Sequence, residues 1–236
     1  MKKIHNFNSG PSILPSEVFE QASQAILEFQ HTGLSILEIG HRTTLFQQVL
    51  DEAVQLSREL LQLTPEQQVL FLHGGASTQF TQVPMNLLDE TGTAAYTETG
   101  TWSLKAIQEA RLYGTVSIAG SSQSTGYTSI PKQLDVDPRS AYLHLTSNET
   151  IAGTQWHQFP YECGVPLVAD MSSDILSRKI DFHRFGLIYA GAQKNLGAAG
   201  VSIVVVNSQL LGKVNRRLPS LFDYSRQIAE GSMLNT

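Results

Sequence analysis

Short apolar runs alternate with amphipathic stretches along most of the chain, and this pattern predicts strands alternating with helices. Two stretches carry apolar residues at helical spacing, residues 16–31 and residues 43–63. Two more helices are predicted, one that follows the glycine-rich segment at 74–78 and reaches Leu88, and one over 102–113. Seven apolar runs predict strands, at 69–72, 94–97, 115–119, 141–145, 166–169, 187–190 and 201–206.

Several of the predicted strands are apolar throughout, which is typical of strands that are buried on both faces of a mostly parallel sheet. The predicted fold class is therefore α/β, with helices on both sides of the sheet in a three-layer α/β/α arrangement. We expect an N-terminal arm over 1–14 and one large domain over 15–236. Ligands of such sheets bind beyond the carboxyl ends of the strands, so residues that follow strands are the candidates for chemistry.

The composition narrows the function class. The chain has 236 residues, 41% of them hydrophobic, and a net charge of -5, so nothing favours binding to nucleic acid or to an anionic membrane. A single cysteine, Cys163, excludes an intrachain disulfide and suits a reducing compartment. The apolar runs are too short to cross a bilayer and the start lacks a signal-peptide core, so we expect a cytoplasmic protein. Residues 231–236 read as a chain that stops within a longer protein.

The segment from His73 to Thr78, His-Gly-Gly-Ala-Ser-Thr, joins a predicted buried strand to a predicted helix. Glycines allow backbone N–H groups to converge at the positive end of the helix, which favours a phosphate. The segment is neither a P-loop nor a G-x-G-x-x-G motif. An ordinary tight turn, with Ser77 or Thr78 capping the helix, explains the same residues equally well.

Three further residues fit a second kind of chemistry. Asp170 ends a hydrophobic strand, where a carboxylate can keep a heteroaromatic nitrogen protonated; the alternative is a solvated aspartate. Lys194 follows a strand among small residues, where a partly desolvated amine can condense with an aldehyde; the alternative is an ordinary solvated lysine. Trp102, at a helix start, can stack on a flat ring or can be a core aromatic. In order along the chain, a phosphate loop, an aspartate and a lysine match the needs of pyridoxal 5'-phosphate.

At this point the sequence resembles the phosphoserine aminotransferases, a family of fold-type I, class-V pyridoxal-phosphate enzymes. Two motifs are the specific ones, Asn-Glu-Thr-Ile-x-Gly at 148–153 and Gly-Ala-Gln-Lys-Asn at 191–195. The matching segments cover the whole chain in order: 6–11, 40–42, 73–80, 99–103, 147–153, 169–173, 191–195 and 231–236.

The resemblance implies a role for each candidate cofactor residue. Lys194 would bond to the cofactor aldehyde and shuttle the proton, Asp170 would pair with the pyridine nitrogen and Trp102 would stack on the ring. The remaining contacts would go to the phosphate or to the ring oxygen. The phosphate would be held by Ala76 and Ser77, assisted by Gln193, and the 3-oxygen region by Thr150.

The resemblance also implies substrate and partner contacts. Ser9 and Arg42 would contact the substrate carboxylate or phosphate with His41 nearby, although His41 is equally well a structural hydrogen-bonder. Asn235 and Thr236 would reach the cofactor of a partner subunit, so the active unit would be a homodimer. Two departures stand out. Ser77 occupies a position where some members carry an arginine, and the C-terminal small domain of the family is absent.

The implied activity is transfer of an amino group from L-glutamate to 3-phosphooxypyruvate, which gives O-phospho-L-serine and 2-oxoglutarate. A parallel reaction on a phosphorylated four-carbon acid in vitamin B6 synthesis is also implied. Two other hypotheses stay open. One is another fold-type I enzyme acting on a small amino acid, among which a desulfurase is disfavoured because Cys163 has no basic cluster nearby. The other is a catalytically incompetent fragment that keeps the fold.

Overall fold

The computed structural model describes residues 4–234. Five α-helices are found in that part of the chain, and they are joined by loops and by short 3-10 turns. The helices are α1 (Ser16–Leu27), α2 (Thr44–Leu61), α3 (Ala76–Leu87), α4 (Thr101–Ala110) and α5 (Tyr224–Ala229). No helix within the described range is long and apolar enough to cross a membrane.

Within the described residues, seven strands form one central sheet. They are β1 (Gln67–His73), β2 (Thr93–Glu98), β3 (Thr115–Ser121), β4 (Leu143–Thr146), β5 (Leu167–Asp170), β6 (Leu187–Gly191) and β7 (Val201–Asn207). The order across the sheet is β1-β7-β6-β5-β4-β2-β3. Neighbouring strands in the series β6-β5-β4-β2-β3 pair in parallel. Strand β7 runs antiparallel to both of its neighbours, β1 and β6. The mostly parallel α/β sheet predicted from the apolar runs is therefore confirmed.

The two faces of the sheet bury two separate apolar cores because side chains alternate along each strand. On β5, Val168 packs with the core that includes Phe80 of α3 and Ile107 of α4. The next residue, Ala169, packs in the other core with Met171. Every residue of β4, β5 and β6 is buried, as the continuous apolar runs predicted.

The first helix ends earlier than its apolar spacing predicted. Helix α1 stops at Leu27 instead of running to residue 31, and a turn follows in which Gln30 and His31 both have positive φ. The turn closes when the Phe29 N–H donates to Leu34 O at 2.7 Å. It buries the Phe29 side chain, so an apolar residue at helical spacing is used by a loop instead.

Candidate active site

The carboxyl ends of β2, β4, β5 and β6 lie along one edge of the sheet because these strands run in parallel. Most of the candidate residues follow directly from these ends. Asp170 closes β5, Lys194 comes three residues after β6, and Thr150 lies in the loop after β4. The parallel strands therefore bring together, at one edge of the sheet, residues that are far apart in the sequence.

Lys194 is half-buried and held by two contacts. Its Nζ donates a hydrogen bond to Thr150 Oγ1 at 2.6 Å, and it lies 4.8 Å from the centroid of the Trp102 ring. Burial lowers the pKa of the amine, while the negative charges of Asp170 and Glu149 act in the opposite direction. A lowered pKa increases the neutral fraction, which is the nucleophilic and basic form. The alternative of an ordinary solvated lysine is therefore wrong.

Asp170 is a buried carboxylate with only 4% of its surface exposed. Both the backbone N–H and the hydroxyl of Ser172 donate to its Oδ1, at 2.9 and 2.6 Å. Burial raises the pKa of Asp170 to about 6, although the Ser172 hydrogen bonds and the charge of Lys194 pull it down. The alternative of a solvated strand-end aspartate is wrong, because the side chain is buried. A buried carboxylate is stabilised by a cationic N–H partner.

Trp102 lies in the first turn of α4, and its ring faces Lys194. The indole Nε1 is buried and has no hydrogen-bond partner among residues 4–234. The ring also packs against the core cluster of α3 and α4, so it serves partly as a core aromatic. Its backbone N–H donates to Glu149 Oε2 at 3.1 Å, which ties the helix start to the loop after β4.

A small cradle forms where the start of α3 meets the end of β6. Helix α3 begins at Ala76, after the N-cap residue Gly75, and no side chain of the described residues caps it, so the alternative of a Ser77 or Thr78 cap is wrong. A Cβ added to Gly191 would lie 3.2 Å from Ala76 N and 2.8 Å from Gln193 Oε1. The first N–H groups of a helix lack intrahelical acceptors, so those at the start of α3 are available to bind an anion. The close approach of Gly191 places the Gln193 amide beside them. Ser77 is exposed at the same turn.

The segment that precedes α1 contacts the backbone of Gln193 and Lys194. The N–H of Ser12 donates to Gln193 O at 2.9 Å, and its hydroxyl donates to Lys194 O. A Cβ at Gly10 would lie 3.1 Å from Lys194 Cγ, so the arm also packs on the stem of the lysine. Ser9 is therefore next to the site in sequence, but its side chain is exposed.

His41 and Arg42 are not brought to Lys194 within the described chain. His41 lines a cavity of about 300 Å³ beside β1, whose walls include His73 and Met233 but none of the residues around Lys194. Its Nε2 is buried and has no hydrogen-bond partner among residues 4–234. This observation does not support the alternative that His41 makes a structural hydrogen bond through Nε2. Arg42 is exposed.

Other acidic and thiol groups lie away from the lysine. Asp174 is buried, but its carboxylate is bound by Ser147, Gln155 and Arg178, so it serves the loops. Cys163 lines a cavity of about 820 Å³ that contains none of the candidate residues. Within residues 4–234 no group of His, Cys, Asp or Glu side chains is arranged to hold a metal ion. Asn235 and Thr236 lie outside the described residues.

Sequence reasoning missed three residues that shape this site, Ser12, Glu149 and Ser172. Ser172 had a local signal, since a Ser two residues after an Asp commonly donates its N–H back to the carboxylate. Glu149 stands inside a motif that pointed to Thr150, but nothing near it in sequence indicates that its partners are on α4. Ser12 is 182 positions from its partner, and no local pattern shows such a contact.

The family model described as aminotransferase class-V matches residues 4–223. A phosphoserine aminotransferase of Flavobacterium johnsoniae is 54% identical, over 100% of this chain and 66% of its own length. A solved phosphoserine aminotransferase from Bacillus circulans subsp. alkalophilus is 47% identical with a TM-score of 0.94, over 98% of this chain and 64% of that one.

A more distant solved relative carries the cofactor. The pyridoxal-phosphate-bound phosphoserine aminotransferase from Trichomonas vaginalis is 34% identical with a TM-score of 0.92, over 99% of this chain and 70% of that one. The chain therefore spans about two thirds of the length of the relatives that it matches.

Proposed function

Since the chain belongs to the class-V aminotransferase family, we propose that it is the cofactor-binding part of a phosphoserine aminotransferase that uses pyridoxal 5'-phosphate. The proposed reaction moves the amino group of L-glutamate to 3-phosphooxypyruvate and gives O-phospho-L-serine and 2-oxoglutarate. The observation that carries the proposal is the half-buried Lys194 amine, held by Thr150 beside the Trp102 ring and close to the charge of Asp170.

The residues present fit the cofactor. Asp170 is a buried carboxylate whose hydrogen bonds from the described chain all go to one oxygen, which leaves the other for a protonated ring nitrogen. The Trp102 ring offers a flat apolar face beside Lys194. The start of α3 at Ala76, with Gln193 beside it, offers N–H groups to a phosphate. Charge, shape and donor set therefore agree.

Bound pyridoxal phosphate would supply a ring that withdraws electrons from the substrate Cα. In this proposal the Nζ of Lys194 acts as the base that takes the proton at that carbon and later returns it, which its lowered pKa favours. Thr150 Oγ1 orients that nitrogen, and Trp102 keeps water from one side of it. Asp170 would keep a proton on the ring nitrogen by its negative charge. Ala76, Ser77 and Gln193 would hold the phosphate.

The substrate and partner contacts belong to the same proposal. Ser9, His41 and Arg42 would contact the substrate, and Asn235 and Thr236 would reach the cofactor of a second subunit. The active unit would then be a homodimer in which one subunit contributes to the site of the other. The proposed arm over 1–14, large domain over 15–236 and cytoplasmic location complete the proposal.

The experiment is a spectroscopic titration of the purified chain. Pyridoxal phosphate should give a yellow absorbance band, and O-phospho-L-serine should convert the bound cofactor to its amine form much faster than L-serine does. Equal rates with both donors would favour the alternative of another small-amino-acid enzyme. Cofactor binding without conversion would favour the alternative of a catalytically incompetent fragment. Failure to bind the cofactor would contradict both enzyme hypotheses.

A further inference from the structure

Glu149 is a buried carboxylate that no step of the proposed mechanism uses. It is fully buried, and both of its oxygens accept hydrogen bonds from the first turn of α4. Oε1 accepts from the Ser103 N–H at 2.9 Å, and Oε2 accepts from the Trp102 N–H at 3.1 Å. The Thr99 hydroxyl adds a longer contact to Oε1 at 3.4 Å.

The start of α4 needs such a partner. Gly100 is the N-cap residue and has no side chain to accept from the first N–H groups, among which that of Ser103 is buried. A carboxylate supplies the missing hydrogen-bond acceptors, and its negative charge interacts favourably with the positive end of the helix dipole. The space is reserved for it, because a Cβ on Gly100 would lie 2.7 Å from Glu149 Cδ. Gly100 and Glu149 are therefore matched across the fold.

This contact joins the two elements that hold Lys194. Thr150, the residue after Glu149, accepts the hydrogen bond from Lys194 Nζ at 2.6 Å. Trp102, whose N–H is bound by Glu149, places its ring centroid 4.8 Å from the same nitrogen. A shift of the Glu149 carboxylate would therefore move both contacts of the lysine at once.

The charges around Lys194 come from three elements. Asp170 faces it from β5 and Glu149 from the loop after β4, and both raise the pKa of the amine against the effect of burial. Lys105 of α4 lies 4.8 Å from the centroid of the Trp102 ring and is the other cation at that ring. Glu149 also raises the pKa of Asp170.

We propose that Glu149 is a positioning residue, which fixes Trp102 and Thr150 on Lys194 and places its carboxylate behind the lysine. The inference rests on the proposed function only for what the site binds, since the contacts themselves belong to the chain alone. Glu149 need not touch substrate or cofactor.

The test measures the protonation of Lys194 in the cofactor-free chain. Competitive acetylation across a pH series, read by peptide mass spectrometry, gives the labelling midpoint of Lys194 in the parent chain and in Glu149→Gln. The matched control is Glu98→Gln, because Glu98 ends β2 and its carboxylate binds Tyr127 and Ser121 instead of α4. Pyridoxal-phosphate affinity is measured in parallel by absorbance.

Glu149→Gln should move the midpoint to lower pH by about half a pH unit, since an anion that favours the protonated amine is lost. It should also weaken cofactor binding about tenfold, because an amide cannot accept both N–H groups. Glu98→Gln should change neither value. A carboxylate that only supported the fold would, when removed, let water reach Lys194 and move the midpoint upward. An unchanged or raised midpoint would therefore overturn the proposal.

Two further measurements keep the outcome clear. If circular dichroism shows that Glu149→Gln does not fold, Glu149→Asp replaces it; this variant keeps the charge but withdraws it from α4. It should keep the labelling midpoint and weaken cofactor binding, and unchanged binding would overturn the proposal. If the parent chain binds no pyridoxal phosphate, the proposed function fails, while the Lys194 midpoint still decides the role of Glu149.

Discussion

Replacing Asp170 by asparagine should stabilise the cofactor-free chain at neutral and alkaline pH. Asparagine has nearly the same shape, and its oxygen can still accept from Ser172. It carries no charge, however, so the penalty of burying an ionised carboxylate disappears. A site prepared for a cationic partner is expected to cost stability when that partner is missing.

The magnitude follows from the raised pKa. The pKa of Asp170 in the folded chain is about 6, against an ordinary value of 3.8. At ~1.4 kcal/mol per pH unit, this difference corresponds to about 3 kcal/mol. The folded chain holds the proton more tightly than the unfolded chain does, so its stability falls as pH rises from about 4 to about 6. Asp170→Asn should escape that loss.

The assay is urea unfolding of both chains without cofactor at pH 4, 6 and 8. The variant should match the parent at pH 4 and exceed it by about 3 kcal/mol at pH 8. Asp137→Asn is the control of opposite sign, because Arg139 lowers the pKa of the exposed Asp137 to about 2 and no gain at alkaline pH is expected. A difference for Asp170→Asn that is absent, or that does not depend on pH, would refute the argument.

Two further changes probe the cofactor face and the phosphate cradle. Trp102→Ala should weaken pyridoxal-phosphate binding roughly tenfold in an absorbance titration, because the ring surface is lost; unchanged affinity would mean that the indole does not cover the cofactor. Gly191→Ala should cost about 1 kcal/mol in urea unfolding, since the new Cβ would lie 3.2 Å from the backbone nitrogen of Ala76, whereas the Gln193 amide oxygen, 2.8 Å away, can turn aside. Gly197→Ala is its control, since no atom of residues 4–234 lies within 4 Å of the added carbon, and equal stability of the two variants would contradict the close approach.

The elements of the fold were largely predictable because their signals are local. A strand that is buried on both faces needs a run of apolar residues, and each of the seven runs became a strand. Strand direction was not predictable in the same way. The run at 201–206 carries no information on direction, and β7 proved antiparallel to β1 and β6. The end of α1 was misplaced because Phe29 has helical spacing but is buried by a turn.

In the candidate site, too, the residues with a local sequence signal were predictable and the long-range contacts were not. Asp170 and Lys194 could be found because each follows a strand, and parallel strands bring their carboxyl ends together. The partner of Glu149 could not be found, since its hydrogen bonds cross 46 and 47 positions to reach α4. Asn235 and Thr236 stay predictions, as do the substrate contacts of Ser9, His41 and Arg42.

The central claim is that the amine of Lys194 is the group that bonds to pyridoxal phosphate. Borohydride reduction of the chain after incubation with the cofactor, followed by peptide mapping, tests it directly. The account predicts one stable pyridoxyl label, on Lys194, and no label in Lys194→Ala. A label carried mainly by another lysine such as Lys105, or none on a chain that holds the cofactor, would contradict it.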